Sequence, residues 1–243
     1  AEKTYIAGDD DQAIFKWAGA DVDHFIALKE EVNDIKVLNQ SYRIPGGPIH
    51  ELSQNIINKV QNRFDKDYKP RDEEGVLKRY SDITQVDMSK GNWLVLSSAN
   101  YFLDDAKDLC EIQGWYYQFK GRNSIPLKLL MALNNWEAWR KDAQLNHLEI
   151  KNIYEYLGSH VLPGFQKGKT LHSDTKYLMR DCRAEHGLVT DNVWYEAFEG
   201  LDPMTETYIR NMRANGEMIN KNPRIIMSTI HGAKGGEADK VLL

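Results

Sequence analysis

The stretch between residues 93 and 119 limits the fold most tightly. Trp93-Leu94-Val95-Leu96 is an apolar run of strand length. Tyr101 to Ile112 repeats Leu103, Ala106, Leu109 and Cys110 at helical spacing, Gly114 closes that helix, and Trp115-Tyr116-Tyr117-Gln118-Phe119 returns to strand character. Strand, helix and strand with short connections predict a right-handed parallel α/β element. The same period returns at Arg224-Ile225-Ile226-Met227-Ser228-Thr229, and Val241-Leu242-Leu243 begins a further strand.

The flanking segments read as follows. Thr4-Tyr5-Ile6-Ala7 is expected as a buried strand running into a turn of three aspartates, and Ile35-Lys36-Val37-Leu38 as a second strand. Residues 23–31 are expected to be helical, and Pro48 opens a helix from Ile49 to Val60. Residues 61–75, charged and rich in turn formers, suit a surface connection. From Asn123 to about Asn222 the pattern is helical. Leu127, Leu130, Met131, Asn134 and Ala138 form one stripe, widened by Trp136 and Trp139, and Leu148, Ile153, Tyr154 and Leu157 mark another helix before Gly158. Asp202-Pro203 is an N-cap and first-turn pair leading to Tyr208, Ile209 and Met212, with Gly216 as the stop.

Composition excludes several classes. The chain has 243 residues, 42% of them hydrophobic, enough for real cores. Its 36 acidic and 31 basic residues give a net charge of -5, which argues against a basic coat that binds nucleic acid by charge alone. A groove of stacking rings and a few cations is still open to it. Cys110 and Cys182 are 72 positions apart and fit neither a zinc site nor a disulfide scaffold, so a reducing, cytoplasmic setting is expected. No membrane span or secretory leader is evident. The start at Ala1 and the strand-like finish suggest a piece of something longer.

Three clusters carry chemistry. Gly8-Asp9-Asp10-Asp11-Gln12 follows a strand-like run; its carboxylates could hold a divalent cation or simply form a solvated acidic turn. Gln12, able to position a water or read a phosphate, is followed by Phe15 and Trp17, rings that can stack on bases. In Gln40-Ser41-Tyr42-Arg43, an arginine beside a ring can reach a phosphate while the ring covers a base, though such pairs are often plain surface. The third cluster runs from Ser228 to Asp239. Its small residues let backbone amides approach phosphates, and Thr229, His231, Lys234 and Glu237 add polar contacts; the bland alternative is a flexible glycine turn.

Taken in order, Gly-Asp-Asp-Asp-Gln-x-Ile-Phe-x-Trp-x-Gly-Ala, Gln-x-Tyr-Arg and Thr-Ile-His-x-x-Lys-Gly-x-Glu resemble motifs III, IV and V of the UvrD/Rep-type superfamily 1 DNA helicases. The resemblance implies a truncated α/β, RecA-like (P-loop NTPase-type) fold with an α-helical insert. Residues 1–30 would be the trailing edge of the first RecA-like domain, 31–122 the first part of the second, 123–222 the insert and 223–243 the return strand with motif V. It implies ATP and Mg2+ as cofactors, with the metal ligands mainly elsewhere. It implies single-stranded DNA, or its junction with duplex, as partner and no membrane, and exposed sheet edges of a fragment would invite self-association.

Carried over by position, Gln12 would sense the γ-phosphate, Phe15 and Trp17 would stack on bases, and Tyr42 and Arg43 would meet adenine and γ-phosphate. Thr229 and His231 would contact the DNA strand, and Gly235 and Glu237 would face the nucleotide. The chain departs from the family at Ala18, Gly236 and Ala238, and at Ser97 or Ser98, where an arginine is common. No Walker A loop and no Asp-Glu box occur, so the chain alone is expected to be catalytically inert and its parent to be the motor. Two other readings are a catalytically inert adaptor that binds nucleic acid or protein, and a metal-dependent polymerase-like enzyme using Asp9 and Asp10.

Overall fold

The computed structural model describes residues 4–13, 19, 21–217 and 221–243. The chain divides into two compact units, Ala1–Ser81 and Asp82–Leu243. Among the described residues, no helix is long and apolar enough to cross a membrane.

In the first unit, α1 (Val22–Ala27) starts on Asp21, whose carboxylate accepts from the Asp23 amide, and a 3₁₀ turn, Leu28–Glu30, extends it. Strand β1 (Gln40–Gly46), helix α2 (Pro48–Ile57) and strand β2 (Lys69–Glu74) form a parallel β-α-β unit. Pro48 takes the first helical turn, where a missing N–H costs nothing. Two expectations fail here. Thr4–Ala7 and Ile35–Leu38 form no strand, and Leu38 is 80% exposed. A β-prone tetrapeptide becomes a strand only where a neighbour offers a ladder, and β2 offers its ladder to residues 40–46 instead. Part of the supposed surface connection is therefore a strand, β2.

The second unit is a mixed α/β body. Its sheet comprises β3 (Trp93–Ser97), β4 (Tyr117–Phe119), β5 (Arg122–Asn123), β8 (Ile225–Thr229) and β9 (Lys240–Leu242), in the order β5-β4-β8-β3-β9. Strands β3, β4, β8 and β9 are parallel, and β5 is the antiparallel edge. Helix α3 (Asp104–Gln113) links β3 to β4 as expected, but those strands are not neighbours. β8 lies between them, with Val95 opposite Met227 and Tyr117 opposite Ile225. Val95, Ile225 and Met227 are buried at this junction. Gly114 ends α3 at φ +67, and an added Cβ would lie 2.4 Å from the Asn211 carbonyl carbon.

The helical segment belongs to the same unit. It holds α4 (Leu127–Trp139), a short ladder of β6 (Leu145–Asn146) with β7 (Lys176–Tyr177), and α5 (His147–Tyr154), followed by α6 (Met179–Glu185), α7 (Trp194–Ala197) and α8 (Pro203–Ala214). The stripe expected on α4 is rotated. Leu129, Leu130, Ala132, Leu133, Trp136 and Trp139 are buried, while Leu127, Met131 and Ala138 face outward. The two indoles decide the rotation: Trp136 Nε1 donates to the Asn192 carbonyl and Trp139 Nε1 to the Tyr177 carbonyl, both at 3.0 Å. A buried indole needs such a partner.

On α5, Ile150, Ile153 and Tyr154 are buried but Leu148 is exposed, since it sits in the first turn beside the Asn146–Glu149 capping box. Helix α8 follows expectation, with Asp202 capping the Thr205 amide at 2.9 Å and Tyr208, Ile209 and Met212 buried. Its Tyr208 hydroxyl donates to the Trp115 carbonyl at 2.8 Å, and Asn211 Nδ2 donates to the Ile112 carbonyl at 3.0 Å. These bonds fasten α8 to the end of α3 and the start of β4. Because Gly114 has both left-handed backbone and a backbone neighbour, Gly114→Ala should cost more than about 1 kcal/mol, read as a lower urea midpoint at unchanged slope.

Candidate functional site

The acidic turn comes with its own counter-charges. Asp10–Gln12 is a 3₁₀ turn capped by Asp9. Arg63 grips Asp11 bidentately, Nε to Oδ1 at 3.0 Å and Nη2 to Oδ2 at 2.9 Å. Lys66 Nζ lies 2.6 Å from Asp9, 2.5 Å from Asp10 and 3.0 Å from Asp11, and the Phe64 amide donates to Asp10 at 2.5 Å. Burial by itself would raise the Asp10 and Asp11 carboxyls, but the hydrogen bonds from Lys66, Arg63 and Phe64 outweigh it and hold both below the usual carboxylate value. Burial would likewise lower Lys66, yet its hydrogen bonds to the three aspartates hold it raised. The three carboxylates come within 4.8 Å of one another, close enough for a metal. A divalent cation would have to displace the Lys66 ammonium. Gln12 is bound into this turn, its Nε2 donating to Asp9 at 2.8 Å. Phe15 and Trp17, the expected stacking rings, lie outside the described residues.

Tyr42 and Arg43 sit on a bulge. Gln40 pairs with Lys69 and Pro45 with Arg71, so five steps along β1 match two along β2. Bulges re-aim side chains, and both Tyr42, 85% exposed, and Arg43 reach solvent. The bulge is held by Ser41, a buried residue whose Oγ accepts from the Arg43 amide at 3.2 Å and the Ile44 amide at 3.0 Å. Gln40 Nε2 ties the start of the bulge to the Pro70 carbonyl at 2.9 Å. An exposed ring offers a stacking face, and a guanidinium beside it can pair with a carboxylate or a phosphate.

In the second unit, Thr229 ends β8, and His231, Gly235 and Glu237 follow it at the carboxyl edge of the parallel strands. The turn is built on Thr229. Its Oγ1 accepts from the Gly232 amide at 3.1 Å and its carbonyl from the Ala233 amide at 2.9 Å. The Gly236 amide donates to Ala233 at 2.8 Å, and Gly235 has φ +84. The Gly232, Ala233 and Gly236 amides therefore close the turn rather than forming the phosphate cradle that the glycines suggested. A Cβ on Gly232 would meet Ser228 Oγ at 2.7 Å, so that hydroxyl would have to turn away. Having accepted from Gly232, the Thr229 hydroxyl can still donate its own proton. His231 and Glu237 lie on the exposed surface of the turn. The Ile230 amide donates to the Ser97 carbonyl at 3.0 Å, so the turn is anchored to the end of β3.

Gln12, Tyr42 and Arg43 belong to the first unit, and Thr229, His231, Gly235 and Glu237 to the second. Sequence reasoning missed Arg63, Lys66 and Ser41. A triple carboxylate signals a need for cations but not which ones, and Ser41 stood in the Gln-x-Tyr-Arg pattern as the unspecified residue. Both cysteines are buried, and burial pushes each thiol up to about 12, disfavouring the thiolate. Comparison with protein-family models, curated proteins and solved structures gave no match.

Two outcomes are expected. Stability contributed by Asp10 and Asp11 is complete above their ordinary value of 3.8 and is lost as pH falls through their lowered folded values. Lys66→Met should thus destabilise the first unit by about 1–3 kcal/mol at neutral pH, and the gap from wild type should narrow below pH 3.8, followed by thermal unfolding. Ser41→Ala should speed amide exchange at Arg43 and Ile44 by about fivefold or more, one hydrogen bond being worth about 1 kcal/mol, while Ser41→Thr retains protection.

Proposed function

We propose that this chain is part of an ATP-dependent, UvrD/Rep-type superfamily 1 DNA translocase, its sheet a RecA-like domain interrupted by the helical segment. The reading rests on the order of the three residue sets along the chain. The observation that carries it furthest is the Thr229–Glu237 turn at the carboxyl edge of the four parallel strands. In open α/β sheets ligands bind at that edge.

In this reading the Thr229 hydroxyl donates to a DNA phosphate, and His231 contacts the same strand. Tyr42 packs on adenine and Arg43 reaches the γ-phosphate, with their backbone held in advance by Ser41. Gln12 senses the γ-phosphate from the aspartate turn, and Gly235 and Glu237 face the nucleotide. Phe15 and Trp17 stack on bases. ATP supplies a phosphoryl group whose transfer needs charge neutralisation and a positioned water. Lys66 and Arg63 already engage Asp9, Asp10 and Asp11, so magnesium would be held mainly by other carboxylates. The same engagement weighs against a polymerase-like metal centre at Asp9 and Asp10.

A second reading, an adaptor that binds nucleic acid without hydrolysis, draws on the lack of a Walker A loop in these 243 residues. The two part on turnover. In a polypeptide that also carries the phosphate loop, single-stranded DNA should stimulate ATP hydrolysis, and Arg43→Ala should lower that rate about 10³-fold or more. Trp17→Ala should retain basal hydrolysis and lose the stimulation. Unchanged turnover in Arg43→Ala sinks the role given to Arg43. Robust DNA-stimulated turnover by residues 1–243 alone sinks the account of a chain that needs an external phosphate loop.

A further inference from the structure

Beside the Thr229 turn lies a pair of rings that the motif residues do not include. A 3₁₀ turn, Asn100–Leu103, follows β3 and packs against β8. Tyr101 and Phe102 on this turn are 66% and 58% exposed, and their ring centroids are 4.1 Å apart at an interplanar angle of 43°. Together they form a small exposed aromatic patch.

The backbone beneath them is pinned. Leu103, the next residue, is 1% exposed and anchors the turn in the core. Ser97 Oγ donates to the Ala99 carbonyl at 2.6 Å, and the Phe102 amide donates to the same carbonyl at 3.2 Å. The rings thus stand on a fixed support at the carboxyl edge, on the strand end to which the Ile230 amide is bonded.

We propose that Tyr101 and Phe102 form a platform on which a base of single-stranded nucleic acid stacks while the strand's phosphates run over the Thr229 turn. This inference rests on the nucleic-acid reading given above. The chemistry favours a base over a basic or acidic peptide. A ring face is uncharged and sequence-tolerant as a stacking surface, and the neighbouring Thr229 and Ser98 supply hydroxyls. The local charges set the path. Asp104 and Asp105 occupy the first turn of α3, so an anionic backbone is steered away from that helix start and toward β8. Lys107 on α3 is engaged by Asp104 at 2.5 Å and lies 4.6 Å from the centre of the Phe119 ring.

The test compares a fluorescein-labelled oligothymidylate of about 12 nucleotides with an abasic strand of equal length, by anisotropy, on the whole chain. The double variant Tyr101→Ala, Phe102→Ala should weaken oligothymidylate binding about 10-fold or more, leave the abasic strand unchanged and keep the same salt slope. Tyr101→Trp with Phe102→Trp should retain affinity, and both doubles should unfold at the wild-type temperature. Thr229→Val should weaken both strands alike. If wild type binds, Thr229→Val matters and the alanine pair changes nothing, or weakens both strands equally, the platform is wrong and the nucleic-acid reading stands. If wild type binds neither strand, both fail. If the alanine pair instead lowers the sedimentation coefficient of the protein alone, a second copy covers the rings and the proposal is overturned.

Discussion

The second unit depends on one long-range pairing, the insertion of Ile225–Thr229 between β3 and β4. Each strand of that trio is short, and none buries much surface alone. β3 pairs with β8 along its whole length and β4 along Ile225–Met227, and Val95, Ile225 and Met227 are sealed from water there. The insertion also carries the Thr229 turn to the edge where Ser97 ends, so the geometry of the candidate DNA contact is a by-product of sheet closure. The helical segment supports this from the side, through the Tyr208 and Asn211 bonds to the α3–β4 connection.

Three turns in the two units share a local device. Asp9, Ser41 and Thr229 each accept, through a side-chain oxygen, a backbone amide two or three residues further on. Such bonds compete with regular ladders and set loops into one conformation. A turn already ordered loses less freedom when it meets a ligand. The residues that supply this order are small and polar, while the residues proposed to touch ligand are their larger neighbours.

Fold class was legible where period and length agreed. The β3–α3–β4 pattern, the Asp202 cap and the β8 run all emerged from spacing alone. What sequence did not reveal was adjacency: no periodicity tells that residue 225 pairs beside residue 93. Thr4–Ala7 and Ile35–Leu38 have strand-forming residues without a ladder to join. On α4 the apolar residues surround enough of the helix that a stripe could be drawn on more than one face, and two indole hydrogen bonds fixed the choice. Around the site, the motif residues were visible but their supports were not. Arg63 and Lys66 lie more than fifty residues from the aspartates they hold, and a charged, turn-rich stretch looks the same whether or not it neutralises a distant cluster.

The strand order also sets a schedule for synthesis. β3 has only β8 and β9 as neighbours, and β4 has only β5 and β8. A nascent chain that has emerged as far as residue 222 therefore holds β3 with no partner, and its apolar run Trp93–Leu96 must wait through the making of the whole helical segment. β4 can pair early with β5, but the parallel part of the sheet cannot close until residues 225–242 arrive. Until then the edges of β3 are unpaired, and unpaired strand edges are open to other chains.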